Sequence, residues 1–145
     1  MALDQLYQQT ILEHNRKPRN YGHLTGATHA ARGHDAMCGD DILMELIVED
    51  GCIRQAAFSG DACAVTKATA SMLTDWLPGR QASDIADWSN QFQALLKDHT
   101  LPDAPELADL NQLRPVSQFP ARVRNALLPW TTTLRALNQP EGTNP

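Results

Sequence analysis

Two runs of alternating character, Asp41 to Glu49 and Cys52 to Ser59, flank Asp50-Gly51, and this stretch restricts the possible folds more than any other. In the first run Ile42, Met44, Leu46 and Val48 share one face, the period-two pattern of a strand with a single buried side. Asp-Gly readily supplies the positive φ angles of a two-residue turn, so the two runs should form an antiparallel hairpin. Ala27 to Asp35, a stretch of small residues weakened by Gly33, is expected to add an edge strand.

The rest of the chain has the helical period. Leu3, Leu6, Tyr7, Thr10, Ile11 and His14 mark an N-terminal helix that ends before Pro18. After Gly60 and Asp61, Val65, Ala68, Met72 and Trp76 align on a helix stopped by Leu77-Pro78-Gly79. Ser83 is the expected N-cap of a third helix carrying Ile85, Trp88, Phe92, Leu95 and Leu96. A proline-bearing loop from Asp98 to Pro105 leads to a short helix with Leu107, Leu110 and Leu113. Pro120 then opens a last helix with Val123, Leu127, Trp130, Leu134 and Leu137. Pro129 inside it predicts a kink or break, because an interior proline removes a backbone bond at about 3 kcal/mol. Strands first and helices afterwards give an α+β fold, a three-stranded antiparallel sheet with helices packed on one face. One domain over residues 1–138, with a frayed polar tail at 139–145, is the expected organisation.

A chain of 145 residues buries roughly 70% of its unfolded surface, so it needs no disulfide or structural metal merely to fold. The net charge of −5, with scattered basic residues, argues against nucleic-acid binding. Arg16, Lys17 and Arg19, and again Arg122 and Arg124, gather locally, either as solvated helix ends or as a docking surface for an acidic partner. With no secretory segment and no membrane span the expected location is cytoplasmic, where three cysteines read as thiols.

Two of those thiols carry the chemistry. Cys38 and Asp40 precede the second strand and Cys63 follows the third, so an antiparallel hairpin should bring all three together. Cys38 and Asp40, two apart in an extended segment, should point to the same side. Cys63 at a helix start lies where the dipole favours a thiolate, the form that binds metal or attacks sulfur. A tetrahedral zinc or iron site wants four ligands, and no further cysteine lies in the C-terminal half. Cys52, at the far end of the hairpin, reads as a strand residue without chemistry. His29 and His34 could supply a nitrogen ligand, whereas His14, His23 and His99 have no spacing that suggests a site.

These residues lie in a wider set of motifs: Tyr7 with Ile11 and His14; Pro18-Arg19-Asn20 and Gly22; Cys38-Gly39-Asp40; Phe58 with Gly60 and Cys63; Ala70-Ser71-Met72; and Phe119-Pro120-Ala121-Arg122 through Trp130. As a set they resemble the iron-sulfur cluster assembly scaffolds of the IscU and NifU N-terminal type, whose fold is SufE/NifU-like. The added stretch from about Trp88 to Ser117 is similar to the SufU branch. The resemblance implies three cysteines and an aspartate around a zinc, an iron or a nascent [2Fe-2S] cluster. It also implies sulfur received from a cysteine desulfurase of the SufS kind and passed to downstream cluster assembly proteins. Cys38, Asp40 and Cys63 match the first three metal positions; Asn125 stands where the family has its third cysteine, and Ala62 where a glycine is usual.

An amide oxygen is a poor ligand for zinc or iron beside a thiolate. Three states of the site follow: zinc held by Cys38, Asp40, Cys63 and water; a metal-free sulfur acceptor; or a site completed by another protein's ligand. The expected function is that of a sulfurtransferase-like accessory of a desulfurase, with Cys38 as sulfur acceptor and Cys63 as the alternative. The competing readings are a scaffold that transiently holds a cluster with partner help, and a divergent paralogue that only docks.

Overall fold

The structure, a computed structural model, describes the backbone of residues 2–138 and the side chains of residues 7–138. Leu3 and Leu6 therefore contribute only to the helical backbone here, and the tail expected to fray at 139–145 lies outside the described residues. Three strands, β1 (His29–Asp35), β2 (Asp40–Glu49) and β3 (Cys52–Asp61), form one antiparallel sheet in the order β1-β2-β3. The α-helices are α1 (Ala2–Arg16), α2 (Ala64–Trp76), α3 (Ile85–Lys97) and α4 (Pro120–Leu137). The α+β fold read from the sequence is the fold observed.

Asp50 and Gly51 both adopt positive φ, 53° and 77°, so the β2–β3 connection has the backbone of the hairpin turn that Asp-Gly favours. Ile42, Met44 and Leu46 are fully buried while Asp41 and Glu49 are exposed, so one sheet face meets the helices. α4 lies against β1 and β2, and α2 packs against β3, α1 and α4. Val65, Thr66, Ala68, Thr69, Ala70, Ser71, Met72, Leu73, Thr74 and Trp76 are all buried, which makes α2 the central helix. Its alanines, serine and threonines let neighbouring backbones approach on several sides, whereas long side chains would hold them apart.

Three local expectations change. Ser83 is not an N-cap: Ala82–Asp84 form a 3-10 turn before α3, and the Ala82 N–H donates to Gly51 O at 2.8 Å. That tie to the hairpin turn overrides the local capping preference. The short helix expected around Leu107, Leu110 and Leu113 is a longer run of 3-10 turns, Pro105–Gln118, interrupted at Ala108 with φ 49°. Leu107, Leu110 and Leu113 are all buried, and a spacing of three matches the three-residue turn of a 3-10 helix. Finally, of the kink or break expected at Pro129, the break does not occur, and α4 continues through it.

Candidate metal and sulfur site

β1 and β2 are joined by the turn Ala36–Gly39, and Cys38 sits in that turn rather than in an extended segment. Gly39 has φ 71°, a conformation that glycine adopts without the Cβ penalty. It reverses the chain so that Asp40 starts β2 paired with Asp35 at the end of β1. Cys63 is the N-cap of α2, just beyond the end of β3, with no side-chain cap hydrogen bond. The open end of the β2–β3 hairpin thus gathers Cys38, Asp40 and Cys63, and α4 adds Arg122 and Asn125.

The centre of this cluster is Asp40, fully buried together with Thr66 and Asn125. Its Oδ1 accepts the Cys63 backbone N–H at 2.6 Å. Its Oδ2 accepts the Thr66 hydroxyl, and also the Asn125 side-chain N–H at 2.8 Å. Cys63 Sγ lies 3.8 Å from Asp40 Oδ2 and 3.3 Å from Thr66 Oγ1. On the other side, the Cys38 thiol donates to Asn125 Oδ1 at 3.5 Å while the Arg122 guanidinium donates to Cys38 Sγ at 3.4 Å. Both thiols are half-buried, and neither is in a disulfide. The Asn125 amide therefore divides its two ends, oxygen toward Cys38 and nitrogen toward Asp40.

Asp35 forms the outer wall. Its Oδ2 accepts Arg124 Nε–H at 2.7 Å, and the Met37 N–H donates to its Oδ1 at 3.0 Å. The hydrogen bond from the Arg124 guanidinium, aided by that backbone N–H, holds the Asp35 carboxyl below the usual carboxylate range. Arg122 and Arg124, which the sequence left between solvated helix end and docking surface, each have a specific contact here. Tyr7 stacks on the half-exposed Phe119, their ring centroids 6.5 Å apart, and burial pushes the Tyr7 hydroxyl above its ordinary value.

The histidines expected as possible ligands do not join this cluster. His29 bonds the Thr28 hydroxyl at 2.8 Å, and His34 is exposed on β1. Cys52 is buried at the closed end of the hairpin, as the sequence indicated. Sequence reasoning missed Thr66, for which the only available signal was its place three residues after Cys63, on the same side of a helical first turn.

The donor set is a poor fit for a resident zinc or iron. A carboxylate offers about four lone-pair sites, and three on Asp40 already receive strong donors. The amide of Asn125 presents N–H groups, which cannot ligate a cation, to both Asp40 and Asp35. Among the described residues, no three or more His, Cys, Asp or Glu side chains are grouped so as to hold a metal ion.

Comparison with known proteins places this geometry among related molecules. Residues 6–125 match the family described as NifU-like N terminal domain. The chain is 31% identical over 142 residues to the zinc-dependent sulfurtransferase SufU of Bacillus subtilis, covering 98% of this chain and 96% of that protein. It is 27% identical over 139 residues to the iron-sulfur cluster assembly scaffold protein IscU of Thermotoga maritima, covering 96% and 97%. A crystal structure of a NifU-like N-terminal protein from Brucella abortus superposes with a TM-score of 0.83 at 23% identity, covering 95% of this chain and 96% of that one.

Proposed function

This chain belongs to the NifU-like N-terminal domain family, and on that premise we propose that it accepts persulfide sulfur from a cysteine desulfurase for iron-sulfur cluster assembly. The observation that carries the reading is Cys38: a free, half-exposed thiol on a turn, with an arginine N–H on its sulfur and the exposed Met37 beside it. Transfer needs one accessible thiolate. Cys38 attacks the outer sulfur of the donor persulfide, a new S–S bond forms, and the donor cysteine leaves as a thiolate with no net oxidation. Arg122 sits where it can balance the negative charge that the persulfide then carries. Cys63 is the weaker acceptor, because its thiol is shared with Asp40 and Thr66.

Holding a cluster would require Cys38, Asp40 and Cys63 to act together as ligands, against the hydrogen bonds they now make. We therefore rank sulfur acceptance above a scaffold completed by a partner's ligand. Incubation with a cysteine desulfurase and cysteine, followed by intact-mass analysis, tests the assignment. The wild type should gain the mass of one sulfur atom, Cys63→Ser should still gain it, and Cys38→Ser should not. Undiminished loading of Cys38→Ser would overturn the role of Cys38.

A further inference from the structure

We propose that Asn125 and Thr66 take the place of a metal ion, so that this site holds its shape without zinc or iron. The inference goes beyond sulfur acceptance and does not depend on it. Asp40 is a buried carboxylate, and such a group is stable only when a cation or several donors compensate its lost hydration. Here three donors do so, each from a fixed piece of backbone. The Cys63 N–H and the Thr66 hydroxyl come from the first turn of α2, and the Asn125 N–H comes from α4. Together they tie β2, α2 and α4 at one point, the cross-link a bound ion would otherwise make.

A second observation ties the same threonine to α4. Pro129 has no N–H, so the carbonyl of Asn125 lacks its helical donor four residues on. The Thr66 hydroxyl lies 3.3 Å from that oxygen, where its single proton is shared between the carbonyl and Asp40. This contact also explains how α4 runs unbroken past Pro129. The side chain and the backbone of residue 125 are thus both engaged by hydrogen bonds of one network.

Substituting cysteine at position 125 reverses the logic. A thiolate there would remove a donor from Asp40 and place a third sulfur beside Cys38 and Cys63, a set of anions that only a cation reconciles. The hydrogen-bonded site and the metal site are alternatives set by residue 125.

The test uses zinc and cobalt on the purified full chain. After zinc supplementation and dialysis the wild type should retain sub-stoichiometric metal, show no thiolate-to-cobalt absorption, and unfold at the same temperature with zinc or EDTA. Asn125→Cys should bind about one ion per chain with that absorption, at least ~100-fold more tightly than the wild type, and its unfolding temperature should rise with zinc. Should Asn125→Cys fail to fold, Thr66→Val serves: it should lower the unfolding temperature equally with and without zinc. Stoichiometric zinc retained by the wild type, with EDTA lowering its unfolding temperature, would overturn the proposal. An unchanged unfolding temperature in Thr66→Val, or an Asn125→Cys that folds but binds no metal, would do the same.

Discussion

The two ends of the β2–β3 hairpin each carry cysteine, and they are built on opposite principles. At the closed end Cys52 is buried beside the Asp50-Gly51 turn, its Sγ lying 3.7 Å from the Ile53 carbonyl. α2 runs toward the same end and delivers Trp76, which meets Trp130 at 5.5 Å and Trp88 at 5.7 Å between ring centroids. Phe92 stacks on Trp130 at 5.4 Å, and Arg80 lies over Trp76. At the open end, by contrast, the buried groups are Asp40, Thr66 and Asn125, and hydrogen bonds replace area as the source of cohesion. Area is tolerant of direction, while a hydrogen-bonded carboxylate fixes it. The aromatic end thus sets how stable the domain is, and the polar end sets where two thiols point.

Trp130→Ala should break the comparison most visibly. Trp130 is fully buried, and removing so large a side chain should cost about 3–5 kcal/mol in chemical unfolding. Its indole N–H has no hydrogen-bond partner among the described residues, so Trp130→Phe should cost clearly less than the alanine variant. Sulfur loading of Cys38 should survive in the molecules that remain folded. Loss of loading in a folded Trp130→Phe protein would show that the two ends are not separable.

Asp40→Asn should give a smaller effect of a different kind. The shape is retained, but one amide N–H must then face the donors now supplied by Thr66, Asn125 or the Cys63 backbone. One buried mismatched donor is expected to cost about 1–3 kcal/mol, measured by denaturant unfolding. Unlike Trp130→Ala, the change should also increase the alkylation rate of Cys63, since its N–H and thiol lose a common anchor. Equal alkylation rates in wild type and variant would remove the claim that this end fixes thiol direction.

How much of this was legible beforehand follows the same division. The hairpin, the buried face of Ile42, Met44 and Leu46, and the approach of Cys38, Asp40 and Cys63 were readable because antiparallel pairing converts sequence order directly into proximity. Asn125 was marked by a residue type that breaks the family's pattern. Thr66 carried only the weak signal of its spacing from Cys63, since a threonine inside a helix is usually neutral in meaning until a carboxylate is placed against it. The continuity of α4 through Pro129 was not readable for the same reason: the partner of the freed carbonyl comes from α2, 59 residues away in the chain. Ser83 lost its expected capping role to a tertiary bond between Ala82 and Gly51 that no local rule contains.

The smallest effect concerns the boundary between the two ends, midway along α2. Ser71 is buried there, its Oγ 2.6 Å from His14 Nδ1, and the Arg19 N–H donates to the same oxygen at 2.8 Å. With that lone pair occupied, the Ser71 proton is free to go to Nδ1, an arrangement suited to neutral imidazole. Burial, reinforced by the nearby Arg19 charge, lowers the His14 pKa below its ordinary value of 6.5. The unfolded chain therefore binds the proton first as pH falls, and the stabilisation present above 6.5 is lost as pH drops from there through the folded-state value. His14→Gln should remove this component, so that the wild type's advantage over the variant is constant above pH 6.5 and shrinks below it. If α2 divides a titratable open half from an inert aromatic half, Trp130→Phe should retain the wild-type slope while His14→Gln flattens it. Identical slopes for wild type and His14→Gln below pH 6.5 would remove this role for His14, since the Asp35 carboxyl, lowered from 3.8 by Arg124, acts only at more acid pH.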